Sequence, residues 1–403
     1  MILVCIKFAG KSYSISVGRG LLGLPLPTSS THEESPTHIE ESWINGKSKE
    51  GFLSVENILK DPRTTEDSAH LETLGQTPKP EISNSVIKNT KTKLKLWKPR
   101  VKSDIEAAKE NHNADFDSVM NYNSHFTPHI TKDLYKPGYM IANSDACGDI
   151  HENILVTILV ISAPDHFKQR EAIRNSWGNT RDNKEVVFSF LVGLSDNTSL
   201  AKAVTEESEK NGDVIVNNIT DLYENLSLKT LSAFDWLKQF CPKSKFLLKV
   251  DDDMFVQIER LLEMIRKLLD TDLEPRIILG NISKNWRPIR NPQSKYLMTK
   301  AEYPGDKYPD FATGPSYLVS RQAVLEILPL AMEQQYIHLE DVFLTGVVAE
   351  SLGIQRLNVK EFQNNPKRIP IRFMGCKLTN IITLHKVDPE DQIKLQELAR
   401  NRC

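Results

Sequence analysis

The sequence predicts an α/β domain with a mixed, largely parallel central sheet flanked by helices. From Cys147 onward, short apolar stretches typical of buried strands alternate with amphipathic stretches of helical period. One apolar stretch, residues 246–250, ends abruptly in three consecutive acids, Asp251, Asp252 and Asp253. Because open α/β sheets bind ligands at the carboxyl ends of their strands, we expect the functional site at these acids.

The composition limits the possible classes of protein. The chain has 403 residues, enough for one large domain or two ordinary ones, and its 39% of hydrophobic residues is low for a wholly folded chain. A formal net charge of −2 gives no general attraction to nucleic acid or to anionic lipid, so we expect no nucleic-acid partner. The cysteines form no Cys-x-x-Cys pair, which argues against a zinc site.

Residues 1–146 are predicted to be a low-order stalk or linker. They are rich in polar residues and proline and lack sustained apolar periods. The apolar start of the chain is interrupted by Lys7, Lys11 and Arg19 and has no basic flank ahead of it, so it resembles neither a membrane span nor a signal peptide. We therefore expect no membrane anchor within the sequence as written, and a single folded domain over residues 147–403.

The elements of this domain follow from the hydrophobic pattern. Strands are predicted at residues 154–161, 186–192, 213–216, 246–250, 277–280 and 317–320. Helices are predicted at residues 166–177, 199–210, 222–240, 257–269, 322–332 and from Asp388 onward. Residues 281–310, rich in proline and aromatic residues, are predicted to form a loop, and a loop of this length within a domain is usually a binding loop or lid.

Three adjacent carboxylates repel one another unless a cation or hydrogen bonds hold them. Their hard oxygens suit Mg²⁺ or Mn²⁺, which such sites share with substrate phosphates. The alternative is a solvated turn, since aspartate is common in turns and at helix N-caps.

Five stretches in a fixed order identify a family. They are residues 170–178, 221–230, 249–256, 314–320 and 340–346. Together they resemble the β-1,3-galactosyltransferase family and its β-1,3-N-acetylglucosaminyltransferase relatives, over about residues 147–403. The resemblance implies a GT-A fold, a UDP-sugar donor, a Mn²⁺ cofactor and an inverting transfer. It also implies membrane association, as a type II protein of the Golgi apparatus with a lumenal catalytic domain.

The resemblance also assigns the acids and one histidine. It implies that Asp253 is the direct metal ligand, with Asp251 a second candidate ligand, and that Asp251 and Asp252 lie near the nucleotide ribose. His385 aligns with a histidine near the metal and diphosphate of the family. Without the resemblance, His385 reads as an ordinary surface or core histidine.

Four further residues complete the predicted site. Arg170 and Arg174 lie one turn apart on a predicted helix and are assigned to the nucleotide or its phosphates. Their alternative is a solvated face that pairs with acids. By family position Asp341 is the base that takes the proton of the acceptor hydroxyl, with Glu340 beside it. The alternative for this pair is a helix N-cap.

Cysteines and sequons favour a secretory compartment. Cys147, Cys241, Cys376 and Cys403 allow two disulfides in three connectivities, and Asn-x-Ser/Thr sequons occur at four positions. These positions are Asn197, Asn218, Asn225 and Asn281. The chain departs from the family pattern where Ala312 and Val347-Val348 replace cysteines, and where Ser316 replaces a second glycine.

The resemblance thus predicts a hexosyltransferase that moves galactose from UDP-galactose to a hydroxyl of a glycan, on a glycoprotein or glycolipid, in β1,3 linkage. The first alternative is the same fold using UDP-N-acetylglucosamine. A non-catalytic carbohydrate-binding relative and a metal-dependent phosphohydrolase are the others, and the intact acids and ordered stretches disfavour both.

Overall fold

The computed structural model describes residues 4–8, 11–15, 129–148, 153–180, 182–271, 276–364, 378 and 380–400. The chain divides into two compact units, Met1–Gly51 and Phe52–Cys403. In the first unit, strands β1 (Val4–Phe8) and β2 (Lys11–Ile15) pair antiparallel. The remainder of the predicted linker up to residue 128 lies outside the described residues, so its low order stays a prediction.

The second unit is built on a mixed eight-stranded sheet, which confirms the predicted fold class. Its strands are β3 (Tyr139–Ile141), β4 (Val156–Ile161), β5 (Val186–Leu194), β6 (Val214–Thr220), β7 (Phe246–Asp251), β9 (Ile277–Ser283), β10 (Phe311–Ser320) and β11 (Gln355–Asn358). They lie in the order β11-β9-β10-β7-β4-β5-β6-β3. The four central strands β7, β4, β5 and β6 are parallel, whereas β10 runs antiparallel to both β7 and β9.

Helices cover both faces of this sheet. They are α1 (Thr131–Leu134), α2 (Phe167–Arg174), α3 (Thr198–Asn211), α4 (Leu226–Phe240), α5 (Ile258–Leu269), α6 (Arg321–Met332), α7 (Ala349–Leu352) and α8 (Pro389–Arg400). Successive residues of β4 belong to different hydrophobic clusters, Ile158 to one and Leu159 to the other. Since side chains alternate across a strand, the two clusters lie on opposite faces, which explains why the strands are continuously apolar.

A small second sheet lies beside the end of β7. It consists of β8 (Met254–Val256), β12 (Phe362–Gln363) and β13 (Thr383–His385). Strand β13 pairs antiparallel with β8, so that His385 faces Met254. This register brings His385 next to the acids that link β7 to β8.

The folded domain begins before Cys147, although the hydrophobic pattern of the sequence predicted that it starts at this residue. Residues 129–146 supply α1 and the edge strand β3, which pairs with β6. The backbone oxygen of Ala142 also accepts a hydrogen bond of 2.6 Å from the indole of Trp236 on α4. This segment has few apolar residues, because an edge strand buries only part of its surface, and the sequence pattern therefore missed it.

Three further features bear on the predictions. Cys147 forms a disulfide with Cys241, with Cα atoms 5.5 Å apart, while Cys376 and Cys403 lie outside the described residues. Thr345 fixes the strand position of Ala312, because its Oγ1 accepts a hydrogen bond from the Ala312 amide and donates one to the Ala312 oxygen. Among the helices of the described ranges, none is both long enough and apolar enough to cross a membrane.

Candidate active site

The three consecutive acids lie at the carboxyl end of β7, as predicted, but each has a different partner. Asp251 ends the strand, and its Oδ1 accepts a hydrogen bond of 2.6 Å from the Lys249 ammonium. Asp252 is buried and accepts a hydrogen bond of 2.8 Å from Nδ1 of His166. Asp253 leaves 47% of its side chain exposed. The acids are therefore not equivalent, and Asp253 is the one most open to a ligand.

His385 contacts Asp253, with 3.1 Å between Nε2 and Oδ2. The other ring nitrogen, Nδ1, donates a hydrogen bond of 2.7 Å to the backbone oxygen of Asn364. Burial disfavours the charged ring, but the hydrogen bond and charge of Asp253 outweigh it and raise the pKa of His385. Because Nδ1 donates to Asn364, Nε2 is the nitrogen that faces Asp253, and it donates to this carboxylate when the ring is charged. In the neutral ring Nε2 carries the lone pair, which is the form in which a histidine ligates a metal.

Ser316 helps to hold this arrangement. Its hydroxyl donates a hydrogen bond of 2.6 Å to the side-chain oxygen of Asn364 and lies 2.8 Å from the hydroxyl of Thr383. The Asn364 amide in turn donates to the backbone oxygen of Ser316 over 2.7 Å. The Ser316 hydroxyl therefore ties β10 to the small sheet that carries His385.

Asp253 and His385 form a two-residue donor pair rather than a closed metal cage. Across the described ranges, no three or more His, Cys, Asp or Glu side chains converge on one point. A carboxylate oxygen and an imidazole nitrogen fit a divalent cation that completes its coordination with substrate phosphates and water. The donor set therefore fits a cation shared with a nucleotide, and does not fit a dedicated structural metal site.

Lys249 connects the acid cluster to the predicted catalytic pair. Its buried ammonium donates hydrogen bonds of 2.6 Å both to Asp251 and to the backbone oxygen of Gly314, and it lies 3.6 Å from Oε2 of Glu340. Burial alone would lower the pKa of Lys249, but the charges of Asp251 and Glu340 outweigh it and raise the pKa. Lys249 is therefore a charged link between the two halves of the site.

Asp341 opens a π-helix, Asp341–Val348, a form that is often found at functional sites. The Gly314 amide donates to its Oδ2 over 3.0 Å, and the Val342 amide donates to its Oδ1 over 2.8 Å. Burial raises the pKa of Asp341 although these two hydrogen bonds oppose the shift. The result is an oriented, partly exposed carboxylate with each oxygen held by one backbone amide.

Glu340 points into the interior instead. It is buried, and its Oε1 accepts a hydrogen bond of 2.9 Å from the hydroxyl of Tyr317. Burial raises its pKa to about 7, with the Asp341 charge adding to the rise and the Lys249 charge opposing it. Through these contacts Glu340 holds Lys249 and Tyr317 in place. Of the two acids, Asp341 is the one that can contact a ligand.

Arg170, which the sequence assigned to the nucleotide, is fully buried. Its Nε and Nη2 donate to the Glu207 carboxylate, with the shortest contact at 2.7 Å. Its remaining N–H groups donate to Ser162, Ala163 and Pro164 in the loop that follows β4. All of its donors are thus used within the protein, and Arg170 shapes the loop at the edge of the site.

Arg174 has a similar structural role. It donates to both oxygens of Asp213, at 2.8 Å and 2.7 Å, and to Glu207 at 2.7 Å. Its guanidinium also stacks over the ring of Phe190, 4.8 Å from the centroid. The structure therefore supports the alternative that both arginines pair with acids, although the pairing is buried rather than solvated. Direct contact of Arg170 with a nucleotide would require its ion pair to open, and nucleotide contact by either arginine stays a prediction.

A second buried lysine supports the same edge of the sheet. Lys229 donates to Asp221 over 2.5 Å and to the backbone oxygen of Ser162 over 2.8 Å. Burial lowers its pKa despite the opposing charge of Asp221. Asp221 also accepts a hydrogen bond of 2.9 Å from the Gly193 amide. This pair ties the end of β5 to the loop after β4.

Sequence reasoning gave no role to Lys249, Asn364, His166 or Lys229. A signal for Lys249 existed, because a lone lysine inside an otherwise apolar strand must find an acidic partner when buried. For His166 and Asn364 no such signal existed. Their partners lie far away in the chain, and only the sheet topology brings them together.

Comparisons with known proteins found a family model, curated relatives and solved structures that are similar to this chain. The family model described as Galactosyltransferase matches residues 168–360. "Beta-1,3-galactosyltransferase 5" of Pan troglodytes is 34% identical over 240 residues, covering 58% of this chain and 78% of the relative. "Beta-1,3-galactosyltransferase 2" of Homo sapiens is 33% identical over 293 residues, covering 70% and 67%. Among solved structures, a "WbbM bifunctional glycosytransferase" matches with a TM-score of 0.31 and 12% identity, covering 62% of this chain and 52% of that chain.

The fold, the site and these relatives define a glycosyltransferase. The chain belongs to the β-1,3-galactosyltransferase family, and its mixed, mostly parallel sheet between helices fits the GT-A-type fold expected of that family.

Proposed function

We propose that the chain transfers galactose from UDP-galactose to a hydroxyl of a glycan acceptor, forming a β1,3 linkage with inversion at the anomeric carbon. The observation that carries the proposal is the position of Asp341. Its carboxylate is oriented by two backbone amides and linked through Gly314 and Lys249 to Asp251. This transfer requires a base at the acceptor and a carboxylate cluster at the donor.

In the proposed mechanism, Asp341 accepts the proton of the acceptor hydroxyl as the hydroxyl oxygen attacks the anomeric carbon of the donor. The new carbon–oxygen bond forms while the bond from that carbon to the diphosphate breaks, and UDP departs. The raised pKa of Asp341 suits this role, because a more basic carboxylate takes the proton more readily. Such a base contributes a rate factor of about 10²–10⁴.

Asp253 and His385 would hold Mn²⁺, and Asp251 and Asp252 would lie nearer the nucleotide ribose. When bound, the cation supplies Lewis-acid stabilisation of the negative charge on the departing diphosphate. Asp253→Asn and His385→Ala are each expected to weaken the Mn²⁺-dependent binding of UDP by about 10–100-fold. UDP binding measured by calorimetry across a Mn²⁺ series tests this assignment, with Asp306→Asn on the exposed loop as the control. Unchanged Mn²⁺ dependence in both variants would remove these two residues as ligands.

We also propose that the chain works in a secretory compartment such as the Golgi lumen. The Cys147–Cys241 disulfide supports this, because disulfides persist in oxidising compartments. Localisation of the tagged full chain in cells, with the redox state of these cysteines measured by thiol alkylation, tests the proposal. A cytosolic chain with both thiols reduced would contradict it.

The donor is tested by offering UDP-galactose and UDP-N-acetylglucosamine, each radiolabelled, with β-galactoside and β-N-acetylglucosaminide acceptors. The proposal expects incorporation from UDP-galactose to exceed that from UDP-N-acetylglucosamine. The reverse order would assign the chain to the N-acetylglucosaminyltransferase branch of the same fold. Release of the sugar to water faster than transfer to any acceptor would instead support a hydrolase.

A further inference from the structure

Trp286 is an exposed aromatic residue on a fixed support. About half of the residue, 53%, is exposed to solvent. Its ring packs edge-to-face against Phe311, with centroids 6.0 Å apart and planes at 90°. Its backbone oxygen accepts a hydrogen bond of 2.9 Å from the Tyr308 amide. The indole is therefore held by the protein while much of its surface stays accessible.

The topology places Trp286 at the same edge of the sheet as the acid cluster. In the antiparallel pair of β10 and β7, Ser316 lies opposite Val250, the residue before Asp251. Residues 311–314 therefore extend past the end of β7. Phe311 in turn pairs with Ser283, three residues before Trp286. The segment that leads from β9 to Trp286 thus leaves the sheet at the edge formed by the carboxyl end of β7, on the side where ligands bind.

The same strand connects Trp286 to the proposed base. Phe311, which supports the indole, is three residues from Gly314, whose amide donates to Asp341. At about 3.3 Å per residue, the Cα atoms of Phe311 and Gly314 are at most about 10 Å apart. The residue that supports the indole and the amide that orients Asp341 therefore belong to one short segment of β10.

The loop that carries Trp286 is preorganised. Asn285 adopts a left-handed backbone conformation, with φ of 59°, which turns the chain immediately before the indole. Arg290 donates to the backbone oxygens of Met298, Tyr303 and Gly305, closing the loop on itself. A tryptophan that is fixed but not buried contributes little to the core, and its low ordering cost suits binding.

We propose that Trp286 is the platform of an acceptor subsite, on which a neutral sugar ring stacks next to the sugar that receives galactose. The indole face carries partial negative charge and attracts the weakly positive C–H face of a pyranose. The occupant is a glycan, because Trp286 follows β9 at the same edge of the sheet at which Asp341 would contact the acceptor. This inference rests on the proposed function, and it makes the acceptor a glycan of at least two sugars.

The test compares two acceptors with the same terminal sugar, a methyl glycoside monosaccharide and a disaccharide. In the Trp286→Ala chain, kcat/KM for the disaccharide should fall by roughly tenfold, with the monosaccharide and the KM for UDP-galactose nearly unchanged. Trp286→Phe should restore much of the loss because it retains an aromatic face. Leu269→Ala, which alters another exposed apolar residue at 46% exposure, is the control and should behave as the native chain. An equal loss on both acceptors, or no loss on the disaccharide, would overturn the subsite.

A binding measurement separates this inference from the proposed function. If the native chain transfers galactose to neither acceptor, the proposed function fails while the subsite is still tested by fluorescence titration with the disaccharide. Quenching in the native chain that disappears in Trp286→Phe, with weaker disaccharide affinity of Trp286→Ala measured by calorimetry, would support the subsite. No disaccharide binding by the native chain, or equal binding by the native and Trp286→Ala chains, would overturn it.

Discussion

The ammonium nitrogen of Lys249 lies 3.6 Å from Oε2 of Glu340 in the protein interior. The same nitrogen is 2.6 Å from Oδ1 of Asp251. One lysine therefore joins the carboxylates that end β7 to the pair that begins the π-helix. Because an unpaired buried charge is costly, each member of this network depends on the others.

Replacing Lys249 by methionine should leave Asp251 and Glu340 without their cation. We expect the free energy of unfolding to fall by about 3–5 kcal/mol and activity to be lost. Lys249→Arg, which keeps the charge, should recover part of the stability. Urea denaturation measures the effect, with Lys202→Met as the control because Lys202 pairs with Glu206 on the surface, at 79% exposure. A Lys249→Met chain as stable as the native chain would show that the network is not coupled.

Asp341→Asn should remove the base while keeping an oxygen that can accept the Gly314 or Val342 amide. We expect kcat to fall by about 10²–10⁴-fold, with the affinity for UDP and Mn²⁺ changed little. Steady-state transfer and calorimetry give the two readouts. Glu206→Gln, at a side chain with 63% exposure outside the loop that carries Trp286, should match the native chain in both. Substantial residual transfer by Asp341→Asn would assign the base to another residue.

Glu340 should make stability depend on pH. Its pKa rises from 4.5 to about 7 on folding, so the folded protein binds this proton more tightly than the unfolded chain does. Protonated Glu340 contributes on the order of 3 kcal/mol to the free energy of unfolding. This contribution is complete below about pH 4.5 and is lost as the pH rises through about 7.

Between about pH 5 and about pH 8, Glu340→Gln should therefore lose less stability than the native chain does, because these two pH values lie on either side of the folded pKa of Glu340. Denaturant unfolding at both pH values measures the difference. Glu206→Gln, on the surface at 63% exposure, should follow the native pH dependence. An identical pH dependence in Glu340→Gln would mean that Glu340 is not the group responsible.

The Cys147–Cys241 disulfide closes a loop with a sequence separation of 94. Because a cross-link restricts the unfolded chain, Cys147→Ser should lower the free energy of unfolding by about 2–4 kcal/mol. The double variant Cys147→Ser/Cys241→Ser should lose the same amount, since both variants lack the same bond. A double variant much less stable than the single variant would show that the thiols act separately.

The sequence predicted the strands and helices of the domain because the hydrophobic periods are clear. The apolar stretches at Val156–Ile161 and Phe246–Asp251 became central parallel strands. The edge strand Tyr139–Ile141 was missed because its pattern is weak. Strand β10 also begins earlier than predicted, at Phe311, since an antiparallel strand that includes Gly314 and Pro315 does not read as apolar.

The candidate site was predictable in part. The resemblance named Asp253 and His385, and the structure brings them to 3.1 Å through the pairing of two short strands. Arg170 and Arg174 show what the helical period does not predict. Their helical spacing correctly placed them on one face, but their partner Glu207 lies on another helix. Periodicity gives the face of a helix and not the element that packs against it.

The most direct test of the account is the structure of the product that the native chain forms from UDP-galactose and a disaccharide acceptor. Nuclear magnetic resonance of the purified product gives both the anomeric configuration and the linkage position. We expect a single new galactose, β-configured and attached to O3 of the terminal sugar. An α-configured galactose, or attachment at another hydroxyl, would contradict it.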